Sequence, residues 1–310
     1  MNNKWKWGIS IVIPTYNRQE LLQKTLLSLS RQRLCKSKFE VIVVDDGSTD
    51  STESLVKSFN STMDICYIYQ EDKGFRVAKA RNLGIQAARY HVTLFIDSGV
   101  LLAPDAVEQH LLAYKNDHAQ ALIGLCFGFD EFAELDSEND IKLFDNPDVF
   151  DYPESLQAYQ DCRYEYCRDL NFSLHQCDEP WLLYWTCHVS CLTEKLFFVG
   201  GFDEYFNSWG GEDVELALRL KGIGVRFDLI TAAKAIHYPH EKSEAEVKKT
   251  AKNNITYIHK KHCTLATYLL DQGMNWQQIV STPTQSQTAK PDLWLGSQNL
   301  SHNITHQSIA

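Results

Sequence analysis

The first hundred residues alternate short apolar runs with segments of helical period, and this alternation constrains the fold more than any other feature. "ISIVI" (Ile9 to Ile13), "FEVIVV" (Phe39 to Val44), "ICYIY" (Ile65 to Tyr69) and "HVTLFI" (His91 to Ile96) have the length and apolar content of buried strands. Between them, "ELLQKTLLSLS" carries Leu22, Leu26 and Leu29 at helical spacing. "DDGSTDSTESLVKSF" turns into a helix, with Asp50 and Glu53 spaced as a capping box, and "VAKARNLGIQAA" forms a third helix. Strands joined by helices of this length pair in parallel, and such a sheet gathers ligands beyond the carboxyl ends of its strands. Thr15, Tyr16, Asp45, Asp46 and Asp97 all follow predicted strands directly, so one edge collects them.

Beyond Gly124 the pattern loosens into an acidic, aromatic stretch, then "PWLLYWTCHVSCL", the turn-rich "GGFDEYFNSWGGEDVELALRL", a strand "VRFDLI" (Val225 to Ile230) and "AIHYPH". A charged amphipathic helix is expected from Glu244 to Lys261, and the polar, aperiodic segment after Ser281 reads as a loosely held tail. The expected division is residues 1–124, 125–242, 243–280 as a helical extension, and 281–310 as the tail. There are no internal repeats.

Composition narrows the function classes. The net charge of -10 is uneven: residues 130–179 hold 15 acidic and three basic side chains, whereas the remainder is nearly balanced. An acidic chain with no basic stripe repels a nucleic-acid backbone, so nucleic acid is excluded as a partner. The acidic block reads first as a solvated face and second as a preference for a cationic acceptor. No apolar run is long enough to cross a bilayer and "MNNKWKWGIS" lacks a secretory pattern, so the expected location is the cytoplasm. Nine cysteines without a C-x-x-C pair fit reduced core thiols. Oligomeric state is left open, a homodimer included.

Each short motif has a bland reading. "VIPTYNR" on its own is a strand-to-helix turn with Asn17 as cap. "VVDDGSTD" places two carboxylates at a strand end; a capped turn needs one, leaving the other for a ligand such as a nucleobase N–H. "GFRVAKARNLGIQAA" sets Arg76, Lys79 and Arg81 near a helix start, which suits a diphosphate but equally an exposed basic face. In "WGGED" an aromatic platform, two glycines and two adjacent carboxylates open a helix; a sugar face and its hydroxyl fit that arrangement better than capping alone. "AIHYPH" presents His237 and His240 after a strand, where a histidine is either packed or a metal ligand.

Taken in order, "ISIVIPTYN", "VIVVDDGSTD", "AKARNLGI" and "LFIDSGV" resemble the motif series of inverting family-2 glycosyltransferases with the A-type nucleotide-sugar fold. "GGFDEYFNSWGGEDVELALRL" resembles the acceptor segment of galactosyltransferase and chondroitin-polymerase type enzymes. The resemblance implies an α/β fold with a mostly parallel central sheet flanked by helices and a smaller acceptor-side subdomain. It implies a UDP-sugar donor, with Pro14 and Tyr16 bordering the nucleobase, Asp46 accepting from the uracil ring, and Arg81 and Asp97 near the nucleotide. It implies Trp209, Gly211 and Glu212 as acceptor-binding residues, Asp213 as catalytic base, and Mn²⁺ or Mg²⁺ held by Asp97 and His237. The acceptor is a glycan, a small natural product or a peptide.

Gly99 departs from the pattern, because it stands where the second carboxylate of a D-x-D motif binds the metal. The leaving diphosphate still develops charge that something must stabilise. Three replacements are open: Asp97 with His237 and His240 on a metal, metal-free cations such as Arg76 and Lys79, or loss of catalysis. The last gives the rival reading, an inactive nucleotide-sugar or glycan-binding protein. A nucleotidyltransferase would want a basic Gly-rich phosphate loop, which "PTYNRQE" does not supply.

Overall fold

Seven strands in the order β3-β2-β1-β4-β8-β6-β9 form the central sheet, and only β8 runs against the others. The structure is a computed structural model that describes residues 5–116, 120–129, 138–240 and 244–281. Its strands are β1 (Lys6–Thr15), β2 (Phe39–Asp45), β3 (Ile65–Tyr69), β4 (Tyr90–Ile96), β5 (Val100–Leu102), β6 (Ala121–Ile123), β7 (Cys126–Phe127), β8 (His188–Leu192), β9 (Phe227–Leu229) and β10 (Ala235–His237). Helices α1 (Gln19–Ser30), α2 (Thr52–Ser58), α3 (Val77–Ala87) and α4 (Ala106–Ala113) lie in the first 124 residues. They are followed by α5 (Glu138–Phe144), α6 (Tyr164–Asp169), α7 (Thr193–Phe198) and α8 (Glu212–Gly222), then α9 (Glu244–His262), α10 (Leu265–Asp271) and α11 (Trp276–Val280). The expected tail, apart from Ser281, and residues 130–137 of the acidic block lie outside the described residues.

Alternation along the strands divides the core. Ile9, Ile11 and Ile13 pack with Leu22, Leu26 and Leu29 of α1, the predicted leucine stripe, while Val12 packs on the opposite face with Ala78 and Ile85 of α3. Both faces are covered, which is why β1 and β2 read as nearly continuous apolar runs. The strand order reverses between β1 and β4, so their carboxyl ends open the crevice that a sheet of this type offers a ligand.

A three-stranded sheet, β5-β10-β7, sits beside that crevice. His237 is in register with Val100, and the Tyr238 N–H donates to the Gly99 carbonyl at 2.8 Å, so β10 is held against the turn that follows β4.

Two predicted caps differ in detail. Asn17 does not cap α1; it adopts a left-handed φ of 49° and its side chain accepts from Thr49 N–H at 2.8 Å, tying the loops after β1 and β2 together. Asp50 and Glu53 form no capping box: Asp50 accepts from the Thr52 N–H and hydroxyl, and Glu53 pairs with Lys57 on the helix surface.

Arg163 and Asp161 are buried together, and Arg163 also donates to the carbonyls of Leu183 (2.8 Å) and Gly124 (3.2 Å). Removing one member of a fully buried pair strands the other charge away from water. Asp161→Ala is therefore expected to lower unfolding free energy by about 3–5 kcal/mol in urea titrations. Glu53→Ala, which breaks the exposed pair with Lys57, should change it by less than about 1 kcal/mol.

Candidate active site

The two adjacent carboxylates after β2 divide their work. Asp45 makes the turn, accepting from the N–H groups of Gly47 (3.1 Å) and Ser48 (2.7 Å) and from the Tyr67 hydroxyl (2.7 Å). Asp46 is turned to the loop before α3, where it accepts from Gln70 Nε2 (2.5 Å), the Arg76 N–H (2.8 Å) and the Arg76 guanidinium (3.1 Å). Both Asp46 oxygens thus already have donors from the chain itself, and Arg76, expected as a diphosphate cation, is engaged in holding them. Arg76 also donates to the Glu71 carbonyl. Pro14 is buried at the end of β1, and Tyr16 is exposed beside it with its hydroxyl donating to Asp72.

After β4, Ser98 donates to the Pro14 carbonyl at 3.1 Å, so the 97–99 turn is fastened to the end of β1. Gly99 has φ of 103° and its N–H donates to Thr25 on α1 at 2.8 Å. A Cβ built there would face Leu21 at 3.5 Å. An aspartate at this position would have to adopt a backbone conformation that L-residues rarely hold, so the missing carboxylate goes with a different turn.

Arg81 joins this edge to the acceptor segment. Only 3% exposed, it donates to Asp97 at 2.9 Å and to Glu212 at 2.8 Å, across 131 positions of chain in the second case. It is thus a strut between two carboxylates, with its guanidinium buried and occupied by two ion pairs. Those carboxylates, and Asp213 next to them, hold it charged despite its burial.

Asp213 stands in the first turn of α8, accepting from the N–H groups of Val214 (2.8 Å) and Thr186 (3.3 Å). Desolvation, then repulsion from Glu212, pushes its carboxyl up to about 7, against the attraction of Arg81. Glu212 is 7% exposed, and its Oε2 has no hydrogen-bond partner. A buried carboxylate oxygen left open is costly unless a ligand satisfies it. Gly211 precedes Glu212 at φ of 96°, and Trp209 is 38% exposed.

Residue by residue, the structure brings Arg81, Asp97, Glu212 and Asp213 together. His237 lies on β10 beside the same turn, buried at 7%, with its ring edge-on to Phe129 (5.1 Å) and tilted against His240 (5.2 Å). Among the described residues no three His, Cys, Asp or Glu side chains come together as a metal site, so the set Asp97, His237 and His240 is not assembled in advance. Asp97 and His237 nevertheless offer the oxygen and nitrogen donors that a hard divalent ion takes alongside diphosphate oxygens and water. An open cavity of about 410 Å³ lined by Asn82, Phe202, Asp203, Arg219 and Lys261 includes none of these residues.

Two participants went unread in the sequence. Arg18 lies near Asp97: partial burial lowers its pKa, and the Asp97 carboxylate opposes the shift. Thr186 supplies a backbone N–H to the Asp213 carboxylate. Neither has a sequence signal of its own, although an arginine in "PTYNR" directly after a strand end was visible.

The sheet order and the cleft at the β1 and β4 ends define an A-type nucleotide-sugar transferase fold. Staphylococcus aureus TarS in complex with UDP-GlcNAc superposes with a TM-score of 0.60 at 16% identity, covering 88% of this chain and 69% of that one. The mannosyltransferase PcManGT from Pyrobaculum calidifontis, in complex with GDP-Man and Mn²⁺, gives 0.56 at 18% identity, covering 82% and 64%. At these identities the likeness is one of fold. In sequence, Glycosyl transferase family 2 matches residues 10–165, and the pattern described as the N-terminal domain of galactosyltransferase matches residues 168–242. The chain belongs to glycosyltransferase family 2. A validoxylamine A glucosyltransferase from Streptomyces hygroscopicus subsp. limoneus is 38% identical over 257 residues, which cover 81% of this chain and 56% of that relative. The chain thus spans little more than half of that relative's length.

Two outcomes follow from the geometry. Arg81→Ala leaves Glu212 buried without a counter-charge and should cost about 3–5 kcal/mol of stability by chemical denaturation. If Asp213 is the base that the family resemblance implies, its raised pKa places an acidic limb near pH 7 on the pH–rate profile. Activity rises with pH through that limb. Glu212→Gln removes the repulsion that raises the pKa, so the limb should move to lower pH; an unmoved limb contradicts the assignment.

Proposed function

We propose that the chain is an inverting glycosyltransferase that moves a hexose or N-acetylhexosamine from a UDP-sugar to a hydroxyl acceptor, with Asp213 as base. The observation that carries the reading is a carboxyl pushed up to about 7 beside the Arg81 strut that ties the adjacent Glu212 to Asp97. Asp213 takes the proton from the acceptor hydroxyl, whose oxygen attacks the anomeric carbon. The bond to the diphosphate breaks on the opposite side, and UDP leaves with the electron pair. One base suffices, unlike the paired carboxylates that hydrolases use to activate water. Glu212, with Oε2 open, accepts from a second acceptor hydroxyl, and Trp209 offers a face for the sugar ring.

On the donor side, Pro14 and Tyr16 border the base and Asp46 fixes the loop above it. Arg18, near Asp97, is the cation best positioned for the diphosphate. A divalent ion, when bound, supplies Lewis-acid neutralisation of the leaving group, and Asp97 and His237 are the residues that would hold it. In this reading residues 1–124 serve the donor, 125–242 the acceptor and 243–280 form an extension. No helix among the described residues is long and apolar enough to cross a membrane. All nine cysteines are free thiols, which fits a reducing cytoplasmic setting.

The rival reading, a nucleotide-sugar or glycan-binding protein without turnover, is favoured by one fact: the metal donors are not assembled in advance. A donor screen separates the two. UDP-glucose, UDP-galactose and UDP-GlcNAc are offered with Mn²⁺ or with chelator, and validoxylamine A, in view of the relative named for it, is the first acceptor probe. The enzyme reading expects sugar transfer that Asp213→Asn lowers by about 10²–10⁴-fold while UDP-sugar binding in calorimetry is retained. Donor binding with no transfer by the unaltered chain sustains the rival, and full activity in Asp213→Asn removes Asp213 from its role.

A further inference from the structure

Helix α9 lies beyond the segments matched to either sequence family, which end at residue 242. Thr250, Asn254 and Ile258 form one stripe along it at four-residue spacing. Asn254, 5% exposed, donates from Nδ2 to the carbonyls of Gly210 (2.7 Å) and Trp209 (3.2 Å), with that of Ser208 at 3.4 Å. The Thr250 hydroxyl also donates to the Trp209 carbonyl at 3.3 Å. Ile258 closes the other side: a Cβ on Gly211 would meet its Cδ1 at 3.2 Å.

The segment so gripped has no regular secondary structure of its own. Gly210 and Gly211 are consecutive left-handed residues, with φ of 93° and 96°, and two such glycines give a backbone with many alternatives to lose. They connect Trp209 to Glu212 and Asp213. Helix α9 is anchored independently of Asn254. Tyr257 donates to Asp203 at 2.7 Å and stacks on Tyr205 at 3.7 Å, and Lys261 pairs with Asp203 (2.6 Å) and Glu215 (2.7 Å).

We propose that α9 is a splint for acceptor recognition and that Asn254 is its positioning residue, holding the 208–211 backbone so that Trp209 and Glu212 meet an acceptor in fixed geometry. The inference rests on the glycosyltransferase reading above. Asn254 acts through the carbonyls it binds.

The test uses the full chain with Asn254→Leu, which keeps the volume and removes the donors, and Asn254→Gln, which keeps the amide. For Asn254→Leu, hydrogen exchange of the 208–213 amides should accelerate while the central sheet stays protected. The acceptor KM should rise about tenfold, the scale of one lost hydrogen bond. The KM for UDP-sugar should stay unchanged, and Asn254→Gln should recover part of the loss. An unaltered exchange pattern at 208–213 overturns the proposal, as does a parallel rise of donor and acceptor KM. A wild-type chain that transfers to none of the acceptors is a different failure, that of the enzyme reading itself.

Discussion

The buried guanidinium of Arg81 is the interaction on which the site depends. A doubly wound sheet delivers its ligand-facing loops to one edge, but nothing in that topology aligns the acceptor segment with the donor edge. Arg81 does so, because it must find carboxylates where it is buried, and the two it finds are Asp97 from the donor edge and Glu212 from the start of α8. Asp213 comes with Glu212, since both lie in the same helical turn.

The charge balance around that guanidinium explains the chemistry. Burial raises the affinity of Asp213 for a proton, the adjacent Glu212 carboxylate adds to it, and Arg81, already shared by Asp97 and Glu212, only partly opposes the rise. This is the property a base needs near neutral pH. The same crowding gives Gly99 a second meaning beside its backbone conformation: a fourth carboxylate there would add negative charge to an edge that, in the proposed reading, also receives a diphosphate. Arg18, which lies near Asp97, and a divalent ion are the charges that can offset it.

Much of the fold was legible because burial on both faces writes strands as apolar runs; β1, β2, β3 and β4 all appear within two or three residues of where the pattern puts them. The three-residue strands β5, β6 and β10 were not, since so short a stretch carries no period; β9, equally short, was legible only because the apolar run "VRFDLI" extends beyond it. Asp97 and Asp213 stood out as acids at element ends. Arg81's role was half legible: it shares a helical face with Ala78 and Ile85, both buried, which marks it as inward-facing. Its partner Glu212 was not, because spacing along the chain holds no information on contacts 131 residues apart. Asn17 and Asp50 were misread for a related reason. The Asn17 side chain satisfies the loop after β2 rather than its own helix, and Asp50 divides its carboxylate between Thr52 at the start of α2 and the Gln19 N–H at the start of α1, choices that only tertiary structure decides. Asn254 is the extreme case, one of two adjacent amides in a charged helix, with partners in the 208–210 backbone and the Ser208 hydroxyl.

The most direct measurement is a crystal structure of the chain with UDP and Mn²⁺. The account predicts uridine along the carboxyl ends of β1, β2 and β4, the diphosphate at Asp97, and the Asp213 carboxylate facing the open side where the sugar and its acceptor would meet. UDP bound elsewhere, or an Asp213 carboxylate turned away from the diphosphate, would contradict it.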